Sequence, residues 1–347
     1  MPKPAVEQAN QGWPPLDQRL ERGGFRPLAE PVLLDPEDSP VLAAPPLSTD
    51  RLLRHRSEPP TRGWRRAVFT ATFGAVRPRP STAEQRAAAL VDRATRPVPG
   101  CWRVAVLSLK GGVGKTTTTM ALGAQLATLR GDRVIAVDAN PDRGTLAEKV
   151  RHPGQATVRD LLQHRADITR YSDVRAFTSL DQSRLEVLAS DRDPQVSQAF
   201  SENNYRETIG VLERFYSLIL TDCGTGLLHG AMTGVLGVAD ALVVVTSASL
   251  DGARSASATL DWLEAHGHRA LVARSVAVVS AVRPRSGLVD VAALEAHFAH
   301  RCRSVVRVPF DPYLETGSTV AFDQLKPATR AAYLELAAVV GDGLPRR

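Results

Sequence analysis

The stretch Arg103-Val104-Ala105-Val106-Leu107-Ser108-Leu109-Lys110-Gly111-Gly112-Val113-Gly114-Lys115-Thr116-Thr117 decides how the rest of the chain is read. Residues 103–108 have the composition of a buried strand, three glycines follow, and from Thr117 to about Arg130 the pattern is helical, with Gly131 as its stop. A strand that runs through a glycine-rich turn into a helix gathers several backbone N–H groups around one point and adds the positive end of the helix dipole. Polyphosphate is the natural occupant of that point. The glycines Gly111, Gly112 and Gly114 let the backbone of the loop, Val113 and Thr117 included, approach the phosphates. Lys115 reaches the β and γ oxygens, and Thr116 offers its hydroxyl to magnesium. The strict pattern G-x-x-x-x-G-K-[ST] is not met: Leu109 stands where the first glycine belongs, and Lys110 follows it.

Working outward, further apolar runs occur at 133–138, 185–189, 217–222, 241–246, 275–282 and 304–308, with helical patterns such as 251–266 and 289–301 between them and a last helix at about 328–340. This alternation predicts an α/β fold, a doubly wound and mainly parallel sheet with helices on both faces. The run ending at Asp222 is an apolar strand closed by a carboxylate, about 106 residues beyond Thr116. An aspartate so placed can hold magnesium.

Upstream the composition changes. Of 24 prolines, sixteen lie before residue 101. Residues 1–60 are expected to be a disordered Pro-rich tail, because they carry too little apolar surface to offset chain entropy. Residues 61–99 are expected to hold a basic, aromatic docking segment, Trp64 to Phe73, and then a helix opened by the capping-box spacing of Ser81 and Glu84 and stopped by Pro97 and Pro99. The docking segment reads either as an arm on its own nucleotide-binding domain, 100–347, or as a contact with a membrane or another protein. Residues 51–79 concentrate eight arginines against Glu58 alone, and the whole chain carries +6. That charge suits an acidic partner without choosing among DNA, anionic lipid and protein. Cys101, Cys223 and Cys302 form no C-x-x-C pair for zinc or an iron–sulfur cluster. With no apolar run of about 20 residues and no signal-peptide pattern, a cytoplasmic location is expected, with peripheral contact at the inner face of the membrane open through Trp64 to Phe73.

The loop variant K-G-G-x-G-K-T-T is the signature of the MinD/ParA ATPases, and this chain resembles that family. The resemblance implies Mg-ATP as ligand and ATP-dependent homodimerisation, with Lys110 crossing to the partner's phosphates. It implies a magnesium role for Asp222. It also identifies Val134 to Leu146, containing Asp138-Ala139-Asn140-Pro141-Asp142-Arg143-Gly144-Thr145-Leu146, as the family's D-x-D-P-x-x-G-x-L switch, with Asp138 near magnesium. Asn140 replaces the second aspartate, which in the family helps activate the attacking water. An amide cannot accept a proton, so slow hydrolysis is expected; Asn140 can still orient water, and Asp142 is a poorly placed substitute. Ser280 and the segment Val308-Pro309-Phe310-Asp311 stand where the family contacts adenine, Pro309 and Asp311 being the candidates within it, and no Asn/Thr-Lys-x-Asp guanine motif is present.

Gly63-Trp64-Arg65-Arg66, the helix before the core, Asp222-Cys223-Gly224-Thr225-Gly226 and Ser249-Leu250-Asp251-Gly252-Ala253 resemble the EspI-like proteins associated with type VII secretion in actinobacteria. That resemblance implies a nucleotide-switched accessory of secretion with a protein partner. A ParA-type DNA-segregation protein, binding DNA non-specifically as an ATP dimer, and a MinD-like membrane-positioning ATPase remain open alternatives.

Overall fold

The strand ahead of the glycine-rich loop lies inside an eight-stranded sheet whose order is β3-β4-β2-β5-β1-β6-β7-β8. The computed structural model describes residues 70–72, 81–140, 144–191, 200–226, 230–284 and 289–345. The tail 1–60, most of the segment Trp64 to Phe73, and Asp142 lie outside the described residues. The strands are β1 (Trp102–Leu107), β2 (Val134–Ala139), β3 (Ser179–Leu180), β4 (Glu186–Leu188), β5 (Leu218–Cys223), β6 (Ala241–Ser247), β7 (Val276–Ser280) and β8 (Ser304–Val308). All neighbours run parallel except β3 and β4. The doubly wound, mainly parallel sheet expected from the sequence is the sheet observed. The exception, β3, has two residues, too few to show any periodicity.

The central strands are buried on both faces, which is why they read as continuous apolar runs rather than alternating ones. Alternation along β1 still divides its side chains: Val104 and Val106 enter one core, Ala105 and Leu107 the other. The first core is shared with the helices α1 (Thr82–Ala94), α2 (Lys115–Leu129) and α11 (Pro327–Asp342). The second is covered by α3 (Val158–Gln163), α4 (Tyr171–Arg175), α5 (Glu202–Leu212), α6 (Gly230–Val238), α7 (Leu250–Ala265), α8 (Arg269–Arg274) and α9 (Val291–Ala299). The remaining short helix, α10 (Pro312–Glu315), follows β8.

Helix α1 opens with the expected capping box. The Ser81 N–H donates to the Glu84 carboxylate at 2.7 Å, and the Glu84 N–H donates to Ser81 Oγ at 3.2 Å. Its other end is fixed to α11. Arg93 and Arg96 both pair with Asp342, and the buried Arg130 donates to the Ala94 and Arg96 carbonyls at 2.9 and 2.8 Å. A Cβ at Gly341 would stand 2.1 Å from the Arg93 carbonyl oxygen, so only glycine permits this approach. Among the described residues, no helix is long and apolar enough to cross a membrane.

Candidate functional site

The sheet reverses its winding at β1, whose neighbours are β5 and β6. In sheets of this kind the crevice beyond the carboxyl ends of the strands at such a point is where ligands bind. The loop after β1 forms that crevice here. Gly112 and Gly114 take φ of 74° and 92°, the left-handed region where a Cβ is penalised. Gly114 is the N-cap of α2 and provides no side-chain cap, which leaves the orphan N–H groups of the first helical turn for another acceptor.

Behind the loop stands Asp222, 1% exposed in its side chain. Its carboxylate accepts from Lys115 Nζ at 2.8 Å, Thr116 Oγ1 at 2.7 Å and Thr119 Oγ1 at 3.2 Å. The β2–β5 register sets Asp138 directly opposite Asp222. Asp138 is buried too, and accepts from the Asn140 N–H at 3.1 Å and the Leu146 N–H at 3.0 Å. Burial raises its pKa most, and the Asp222 carboxylate adds to that. The two N–H groups and Lys115 oppose the rise only in part, leaving the Asp138 carboxyl at about 7. Gly144 lies so close that a Cβ there would stand 2.0 Å from Asp138 Oδ2.

A cleft of about 490 Å³ opens in front of these groups, a size suited to a nucleotide. Lys110, Gly111, Gly112, Gly114, Lys115, Thr116 and Thr117 line one part of it, Asn140 and Thr145 another, and Ser280, Pro309 and Asp311 a third. Val113, expected at the site, turns its side chain into the core and is not among the residues that line this cleft. Ser280 is in contact range of the loop, its Oγ 3.4 Å from where a Cβ at Gly114 would be. The Asp311 carboxylate is committed elsewhere: it accepts from the Tyr313 N–H at 3.1 Å, capping α10, and from the Lys326 N–H at 2.8 Å. Burial alone would raise its pKa, but the Lys326 N–H, the Thr329 hydroxyl and the Tyr313 N–H outweigh it and hold the carboxyl below its ordinary value. Lys110 is exposed, with its Nζ 3.4 Å from Asp251 near the start of α7. Cys223 is buried, and that burial raises its thiol pKa to about 12, so it packs rather than reacts.

Three groups at the site have no counterpart in the sequence analysis: Thr119, which reaches Asp222 from behind the loop, and Lys149 and Tyr333, which line the cleft. Helical spacing could have pointed to Thr119, one turn beyond Lys115 and facing the same carboxylate. Lys149 and Tyr333 come from distant elements and carry no local signal.

These residues fit a magnesium nucleotide. The loop supplies left-handed glycines and uncapped helical N–H groups, and a hydroxyl and a carboxylate already meet at Thr116 and Asp222. Magnesium needs one or two carboxylates completed by phosphates and water, rather than an all-protein cage. Among the described residues no group of three or more His, Cys, Asp or Glu side chains exists that could form such a cage.

Comparison with known proteins agrees with this geometry. A family model for an AAA domain matches residues 102–271. The ESX-1 secretion-associated protein EspI of Mycobacterium tuberculosis is 37% identical over 287 residues, which cover 82% of this chain and 43% of EspI, so the chain spans under half of that relative's length. A ParA family ATPase from Chlorobium tepidum superposes with a TM-score of 0.58 at 19% identity, covering 69% of this chain and 98% of that one. The septum site-determining protein MinD from Pyrococcus horikoshii, complexed with Mg-ADP, does so at 0.54 and 21% identity, covering 68% and 94%. Taken together, the loop Lys110 to Thr117, the strand order and these matches support a P-loop ATPase of the MinD/ParA type that is similar to EspI.

Proposed function

We propose that the protein is a cytoplasmic Mg-ATP-binding switch that dimerises on ATP, hydrolyses it slowly and assists type VII secretion. The observation that carries the nucleotide part is the buried Asp222 carboxylate joined to both Lys115 and Thr116 at the mouth of a left-handed glycine loop. The Mg-ADP bound by the structurally similar MinD supports the same ligand. The secretion role rests on the 37% identity to EspI.

Thr116 and Asp222 are the residues that would hold magnesium, with Asp138 level with Asp222 on the next strand. When bound, magnesium neutralises charge on the phosphates. The main-chain N–H groups of the loop and Lys115 orient the phosphate chain. Lys110, exposed on the loop, is available to a second copy. Asn140 lines the cleft beside these groups, and its amide can orient water but cannot take its proton. A positioned general base contributes about 10²- to 10⁴-fold, and its loss is the physical basis for slow turnover.

The test is ATP turnover by the protein beside Asn140→Asp, with solution mass recorded without nucleotide, with ADP and with ATP. An ATP-dependent dimer that barely hydrolyses until Asn140 becomes aspartate supports a long-lived, ATP-held assembly. Equal turnover by both proteins removes Asn140 as the brake, and a mass unchanged by ATP removes the dimer.

A further inference from the structure

Three lysines line the nucleotide cleft, and they differ in their partners. Lys115 is paired with Asp222, and Lys110 with Asp251. Lys149, in the short turn Ala147–Lys149 that follows the switch, instead donates from Nζ to the main-chain carbonyl of Gly317. Among the described residues it is the cleft lysine without a carboxylate partner, so its charge is balanced by no neighbouring side chain.

The root of Lys149 is fixed. Its own carbonyl accepts from the Val320 N–H at 3.0 Å. On either side Leu146 and Val150 are buried, as is Val320, and all three belong to the core shared with α2 and α11. Only the flexible stem is left to move, and its present acceptor is a neutral carbonyl. Exchanging a carbonyl for an anionic oxygen strengthens a lysine's hydrogen bond, since charge-assisted bonds are roughly twice as strong as those with a neutral member.

We propose that Lys149 is a third cationic ligand of the nucleotide, leaving the Gly317 carbonyl for a phosphate oxygen and so tying the switch turn to the occupied cleft. This rests on the reading of the cleft as a Mg-ATP site. The loop lysines approach from β1, whereas Lys149 approaches from the switch, so its contact reports occupancy to the segment that carries Asn140.

The experiment is titration of MgATP into wild type, Lys149→Met, Lys149→Arg and Lys115→Ala, with melting temperatures of all four in the absence of nucleotide. A charge-assisted bond predicts that Lys149→Met binds MgATP about 10- to 100-fold more weakly, with an unchanged melting temperature. Lys149→Arg recovers most of that affinity. If Lys149→Met binds as wild type while Lys115→Ala does not, the proposal is overturned and the nucleotide site stands. Should both Lys149 variants melt lower and weaken binding equally, Lys149 is a structural strap on Gly317 and the proposal again fails. Failure of wild type to bind MgATP overturns the site reading together with the proposal.

Discussion

Replacing Asp222 by asparagine tests the arrangement behind the phosphate loop without any ligand. The Lys115 side chain is 9% exposed and Asp222 1%, at a separation of 2.8 Å. With an effective dielectric of about 20, two unit charges at that distance attract by about 6 kcal/mol, against which the desolvation of both must be set. Removing one member of a buried pair costs about 3–5 kcal/mol, because the other charge is left buried and uncompensated. Here Asp138 moderates the loss. The repulsion from Asp222 helps to hold its carboxyl at about 7, so in Asp222→Asn that pKa falls and the ionised Asp138 becomes the counterion of Lys115. The expected cost is therefore at the lower end, about 3 kcal/mol at pH 8. Using about 2–4 °C per kcal/mol, this lowers the melting temperature by roughly 6–12 °C. At pH 5 a larger share of Asp138 is protonated, it compensates less, and the cost rises. The assay is urea unfolding of wild type, Asp222→Asn, Lys115→Met and the double variant at both pH values. The double variant should lose about 2 kcal/mol less than the sum of the single losses. A cost under about 1 kcal/mol at both pH values, or strict additivity, would refute the reasoning.

Asp138 gives the unliganded protein a pH dependence of its own. It binds its proton more tightly folded, at about 7, than unfolded, at about 4, so the folded state holds more protons between those values and stability falls as pH rises. The contribution is complete below about pH 4, is lost as pH climbs to 7 and is flat above; Asp138→Asn should flatten the slope in chemical unfolding at pH 5, 6, 7 and 8, and an unaltered slope would contradict the assignment. Gly341→Ala forces a Cβ onto the Arg93 carbonyl, which is main chain and cannot turn aside; a loss of about 1–3 kcal/mol is expected. Hydrogen exchange should locate that loss in 82–94, and unchanged protection there would show that the helix pair tolerates the methyl group. Mg-ATP at about a thousand times its dissociation constant should stabilise the protein by about 4 kcal/mol, and Lys115→Ala should abolish most of this. Equal melting temperatures with and without saturating Mg-ATP would end the nucleotide reading.

What the sequence disclosed and what it withheld divide by range along the chain. The phosphate loop is contiguous, so its glycines, Lys115 and Thr116 could be assigned from spacing. The parallel strands are buried on both faces and stand out as apolar runs, and all seven expected strands were found within one or two residues of the expected bounds. Only β8 matches both ends. Ser81 and Glu84 act across three residues, within reach of a local pattern. By contrast Lys149 meets Gly317 across 168 residues, and Arg93 meets Asp342 across 249. Neither pairing leaves a trace in local periodicity. Asp311 shows the complementary limit: it occupies the expected wall, yet whether its carboxylate faces the cleft or caps α10 depends on Tyr313 and Lys326, which spacing does not reveal.

The junction between α1 and α11 has a mechanical consequence. The fastening lies at the far end of α1 from Ser81: the Asp342 pairs, the Arg130 bonds and the close approach at Gly341 all engage residues 93–96. A pull applied at Ser81 is therefore passed along the length of α1 before it reaches this fastening. The helix that receives this load also carries Tyr333 into the nucleotide cleft. Tension applied at Ser81 and occupancy of the cleft thus share one lever, and an optical-tweezer measurement of α1 rupture force with and without Mg-ATP would read the linkage directly.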